Sequence, residues 1–124
     1  MSLVSFTRAA FTTGTGDDTF VGSLAYSEAI GTGYSNYAIG FAQVQAVAGS
    51  TNSSAQLFAS PGNNTFSGSG SGFQLTGPQF TIQGSGFGKV TATSSEGGTD
   101  TLVLGALDYV FSHDANWQES STTT

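Results

Sequence analysis

Short stretches of alternating apolar and polar residues recur along the chain, separated by polar, glycine-bearing turns. Phe73-Gln74-Leu75 and Phe80-Thr81-Ile82 are period-2 triplets split by Thr76-Gly77-Pro78, the pattern of half-buried strands joined by a turn. Residues 3–11, Thr19 to Val21, Phe41 to Ala48, Ala55 to Phe58, Thr65-Phe66, Val90 to Thr93, Leu102 to Leu104 and Asp108 to Phe111 read as further strands. Within them Phe41, Val44 and Ala46 are expected to point inward. Helix propensity alone would admit a helix over Leu24 to Ile30, but the matching stretch Gly70 to Thr76 is a poor helix former, so both are read as strand or loop. Helical patterns of about 10–15 residues do not separate the strands, which argues for an all-β chain and against a βαβ fold.

The strands come with an internal echo. Gly16-Asp17-Asp18-Thr19-Phe20 returns as Gly62-Asn63-Asn64-Thr65-Phe66, 46 positions on (16 to 62). Gly40 to Ala46 is answered by Gly86 to Ala92 at the same offset, and Ala9 to Thr13 by Ala55 to Ala59. Periods in this range point to stacked repeats. The preferred architecture is therefore a β-solenoid, a right-handed parallel β-helix with two coils of about 23 residues per 46-residue repeat. In it Phe20, Phe66 and Phe111 would share an interior row. An antiparallel β-sandwich is the alternative. The division follows: one β-repeat domain over 1–118, with units 9–54 and 55–100, a partial third over 101–111, and a flexible tail over 119–124. Uncapped solenoid ends predict self-association or continuation into further repeats.

Composition narrows the choice of partners. Gly makes up 18 of 124 residues, yet ten Phe supply the apolar area that a disordered linker lacks. Arg8 stands among only two bases in the chain against eight acids, for a net charge of -6, which disfavours nucleic acid and anionic membranes. No apolar run is long enough to span a bilayer. Low charge with abundant Ser, Thr and Gly is the composition of many secreted or cell-surface proteins, so an extracellular or surface location is expected.

Candidate chemistry is sparse. Thr13-Gly14-Thr15-Gly16-Asp17-Asp18-Thr19-Phe20-Val21 resembles one unit of the RTX calcium-binding nonapeptide, with Thr13 in place of the first Gly and Phe20 at the apolar position. The longer repeat is similar to the Asp/Gly-rich repeat regions of large bacterial surface proteins. These resemblances imply a calcium-binding β-roll of exported proteins, with Asp18 as ligand beside Gly14, Gly16 and Asp17, and Ca²⁺ as the cofactor. The pattern is not continued after Gly22, and the second copy carries Asn64 at the carboxylate position. The competing reading is that Asp17 and Asp18, like Asn63 and Asn64, cap tight turns through bonds to the backbone.

Other constellations point away from catalysis. His113-Asp114 has no nucleophile-elbow pattern to complete a triad, and a chain without Cys and with one His is a poor transition-metal site. Glu96 and Asp100 share one polar turn, where surface acids rather than a hydrolytic pair are expected. Asn52-Ser53-Ser54 and Asn63-Asn64-Thr65 match the glycosylation acceptor pattern, which occurs often by chance in such chains. Tyr26, Tyr37 and Trp117 have no aromatic counterpart one period away and are candidates for a sugar-stacking or partner surface. The functional expectation is a non-enzymatic structural or adhesive repeat, or self-assembling filament subunit, of a secreted or cell-surface bacterial protein. The alternative is a calcium- or glycan-binding extracellular module.

Overall fold

The structure, a computed structural model, describes residues 8–14, 16–24, 26–31, 33–39, 42–94 and 98–120. Its strands are β1 (Arg8–Thr12), β2 (Thr19–Gly22), β3 (Tyr26–Gly31), β4 (Tyr34–Ile39), β5 (Gln43–Val47), β6 (Ser54–Phe58) and β7 (Asn64–Gly70). They continue as β8 (Gly72–Thr76), β9 (Thr81–Ser85), β10 (Lys89–Thr93), β11 (Asp100–Leu107), β12 (Val110–His113) and β13 (Trp117–Ser120). A seven-stranded sheet has the order β1-β5-β9-β8-β7-β11-β13, and a six-stranded sheet the order β12-β10-β6-β2-β3-β4. The chain crosses between the sheets at polar corners, and two antiparallel excursions, β2-β3-β4 and β7-β8-β9, interrupt otherwise parallel pairing.

Alternation within strands such as β2, β5, β6, β7, β8 and β10 builds the core between the two sheets, whereas β4 and β12 bury no residue. Phe20 and Phe66 are fully buried, as are Leu57, Leu75, Ile82, Val90 and Leu102. Ring pairs knit the layers: Phe11 against Phe20 at 5.5 Å, and Phe66 stacked on Phe111 at 4.6 Å. Val44 and Ala46 point inward as expected, whereas Phe41 lies outside the described residues. In the region read as strand or loop, Leu24 is a bend and Tyr26 to Ile30 lies in β3.

The solenoid expectation is overturned. Stacked residues are not 46 apart: Thr19 lies beside Ser54 and Ser54 beside Lys89, a step of 35 each time (19 to 54 to 89). Other ladders step differently, since Asn64 pairs with Asp100 and Asp100 with Trp117, 36 and then 17 positions on (64 to 100 to 117). Coils of uniform length are therefore absent among the described residues, and so is a tandem Asp/Gly-rich repeat array. The result is a two-sheet sandwich, and a mixed one, because β6 pairs in parallel with both β2 and β10 while β3 and β4 pair antiparallel.

The two copies of the Gly-x-x-Thr-Phe stretch are not stacked at all. Thr19-Phe20 lies on β2 in the six-stranded sheet and Thr65-Phe66 on β7 in the seven-stranded one. What the copies share is local: a buried Ser or Thr leaves one strand, and a buried Asp or Asn enters the next. Thr13 with Asp18, Ser60 with Asn64, and Ser94 with Asp100 are such pairs, every member at most 4% exposed. Similar corners, not repeated coils, produced the echo.

End-to-end growth loses its basis with the solenoid. The parallel stacking that polymerisation would extend is broken in both sheets by antiparallel strands, and strand contacts close within a single compact domain. The filament, adhesive-repeat and self-association expectations are corrected accordingly.

Candidate functional site

Among the described residues, two regions hold the candidate binding groups. The first is the outer face of the six-stranded sheet. Strand register sets Gln56 beside Val21, Val21 beside Glu28, and Glu28 beside Tyr37, one polar-aromatic row across four strands. The row alongside it places Tyr26 opposite Ile39. Tyr37 is 63% exposed and Tyr26 39%, and their rings lie 6.1 Å apart at 44°. Glu28 accepts a 2.7 Å hydrogen bond from the Ser35 hydroxyl. The same carboxylate raises the Tyr37 hydroxyl pKa above its usual value, mainly through a hydrogen bond.

This face ends in a cavity. Ser23, Leu24, Tyr26, Phe58, Ala59, Ser60 and Pro61 line a recess of about 490 Å³, within the size range of small-ligand sites. Ser23 shapes the entry by accepting a hydrogen bond from the Tyr26 amide at 3.2 Å and donating one to the Tyr26 carbonyl at 2.8 Å. Tyr26 thus belongs to both the flat face and the recess. Trp117, expected on the same surface, is 7% exposed and belongs to the core. The lack of an aromatic counterpart one period away therefore does not mark an exposed position.

The second region is the corner between β1 and β2, which holds the four residues of the candidate calcium motif. Asp18 is 4% exposed and its Oδ2 has no hydrogen-bond partner among the described residues, while Asp17, Gly14 and Gly16 are exposed. The Gly14 amide donates to the Tyr34 hydroxyl at 3.2 Å. The Thr13 hydroxyl lies 3.3 Å from the Ser53 hydroxyl and accepts from the Gly49 amide at 2.9 Å. Ser53 also donates to the Gly16 carbonyl at 3.5 Å. Asp17 faces solvent, away from the buried carboxylate's setting. Three or more His, Cys, Asp or Glu side chains are nowhere grouped among the described residues.

No protein-family model, curated protein sequence or solved structure matches the chain.

The remaining candidates stay apart. His113 is exposed, its ring 5.6 Å from Phe111 and its Nδ1 2.7 Å from the Asp114 carbonyl. Asp114 instead accepts from the Ser94 amide at 3.1 Å through Oδ2. Asp100 is fully buried, not a surface acid, and Glu96 lies outside the described residues. Asn52 is exposed, but Ser53 beside it is 1% exposed.

Proposed function

We propose that the protein is a non-catalytic extracellular module that binds neutral glycans through the outer face of the six-stranded sheet. The observation that carries this reading is the exposed Tyr26–Tyr37 ring pair, beside Glu28 and continuous with the recess next to Phe58, with Gln56 two strands beyond Glu28 in the same row. Aromatic faces stack on the C–H surface of sugar rings, and a neighbouring carboxylate accepts hydrogen bonds from sugar hydroxyls. Charge supports a neutral ligand, because a chain with two bases in all has little to offer anionic sugars.

Affinity electrophoresis through gels containing neutral polysaccharides tests the reading directly. Retardation by at least one polysaccharide is expected, with affinity falling about tenfold in Tyr37→Ala and in Tyr26→Ala, equivalent to about 1.4 kcal/mol each. No retardation in any gel, or tyrosine variants that bind as the parent does, would overturn it.

A further inference from the structure

The recess at the end of the aromatic face gathers large apolar side chains that the fold leaves partly open to solvent. Gly22 pairs with Leu57 of β6 and with Ser27 of β3, so one step on Ser23 lies between Phe58 and Tyr26, and all three line the recess. A small residue between two rings makes a hollow where a third large one would make a ridge. Leu24, Tyr26 and Phe58 are between 37% and 39% exposed there, a clustered apolar surface rather than scattered single residues. A second hollow of about 210 Å³ shares Leu24, Ser60 and Pro61 and adds Pro78 and Gln79, so the apolar surface continues past the recess.

Donors in the walls are already engaged. The Ser23 hydroxyl and amide both donate to the Tyr26 carbonyl, at 2.8 and 3.0 Å. The Ser60 amide and hydroxyl both donate to Asn64 Oδ1, at 3.3 and 3.1 Å, and the Ala59 amide donates to the Thr93 carbonyl at 2.8 Å. None of the lining residues carries a charge. A sugar ring placed inside would give up water from its hydroxyls and find these donors taken, whereas an uncharged apolar group gives up nothing. The same bonds fix the walls before any ligand arrives, and Pro61 has a locked φ, so little conformational freedom is lost on binding.

We infer that the recess receives an uncharged aryl group, so that the ligand of this face is a neutral glycan bearing such a substituent. Its sugar lies on the Tyr26–Tyr37 pair and its aryl ring beside Leu24, Phe58 and Pro61. Aromatic and proline walls favour a flat ring over a flexible chain, because ring faces stack and a rigid ring loses little freedom on entry. Tyr26, shared by face and recess, joins the two halves. The inference rests on the glycan reading for its sugar half and on the recess alone for its aryl half.

Ligand-observed NMR titration with the methyl, phenyl and octyl β-glycosides of glucose and galactose tests it. Phenyl glycosides should bind about tenfold more tightly than methyl ones, and more tightly than octyl ones. Phe58→Ala and Leu24→Ala should each remove most of that advantage while leaving methyl-glycoside affinity and the urea midpoint unchanged, since both side chains are more than a third exposed, at 39% and 37%. Tyr37→Ala, outside the recess, should weaken phenyl and methyl glycosides alike. No binding of any phenyl glycoside, equal affinity for phenyl and methyl, a preference for octyl, or an aryl advantage that survives both recess variants would overturn the inference. If Tyr37→Ala still weakens binding in such a case, the glycan reading outlives it. Conversely, an aryl advantage lost in the recess variants but indifferent to Tyr37→Ala would sustain the aryl site and overturn the sugar face.

Discussion

Asp18 and Asp100 stand at the same station in two corners, at the entry to β2 and to β11, and are 4% and 1% exposed. Asp100 is surrounded by donors: the Asn64 amide at 2.8 Å, the Asn64 side-chain amide at 2.9 Å, and the Ser94 hydroxyl. Asn64 in turn donates to the Ser60 carbonyl at 2.6 Å and accepts from the Ser60 hydroxyl at 3.1 Å. Below, the Ser94 amide and carbonyl are taken by Asp114 and Asn116. Three stacked corners form one continuous polar ladder, and none of the donors to Asp100 is itself charged. At Asp18 the neighbouring corner contributes Ser53, where Asn64 would bring an amide, and one carboxylate oxygen is left over. The difference lies in the stacked neighbour, not in the acid.

That contrast can be broken at several points. The largest effect is expected from Asp100→Ala, which strands the Asn64 and Ser94 donors in the core and should cost about 3–4 kcal/mol in urea unfolding. A loss under about 1 kcal/mol would mean that the ladder is ornamental. Next, Asn64→Asp would set a second carboxylate against Asp100 in place of a donor. It should destabilise by about 2–3 kcal/mol, and a neutral result would show that the corner tolerates unpaired charge.

Tyr109 probes satisfaction of a buried hydroxyl rather than a carboxylate. It donates to the Gly72 carbonyl at 2.9 Å, and burial pushes its pKa up to about 12 from 10.0. Because the folded value lies above the unfolded one, its contribution is complete below pH 10 and is lost as pH rises toward about 12. Tyr109→Phe should lose about 1 kcal/mol at neutral pH and show a shallower fall in Tm across that alkaline window. The smallest expected effect is at the surface: Glu28→Gln should bring the Tyr37 pKa back toward 10.0 in an ultraviolet titration without changing stability measurably.

Individual strands were legible because alternation is a local property: Phe73, Leu75 and Ile82 are buried as their period-2 pattern implied. Strand partners were not. Phe20, Ala55, Val90 and Phe111 lie side by side across β2, β6, β10 and β12; Phe20 and Phe111 share a row as expected, but the two residues between them resemble neither, since neighbours in a packed layer are selected to fill space together. Identity instead marked corners, where the same backbone problem recurs at unrelated places. Phe66 therefore matched Phe20 in sequence while sitting in the other sheet. At the candidate sites, Asp18 and the pair Tyr26 and Tyr37 were visible as residue types. The burial of Asp18, the roles of Ser53 and Tyr34, and the recess beside Phe58 depend on pairings that sequence similarity did not mark.

Two alike, buried aspartates thus differ: Asp100 is met by its neighbours' donors, and Asp18 Oδ2 has none among the described residues. Urea unfolding of Asp18→Asn and Asp100→Asn, side by side in chelator at neutral pH, tests it most directly. Opposite signs are expected: Asp18→Asn raises stability by about 1 kcal/mol, and Asp100→Asn lowers it by about 1–2 kcal/mol. Equal losses at the two positions would contradict it.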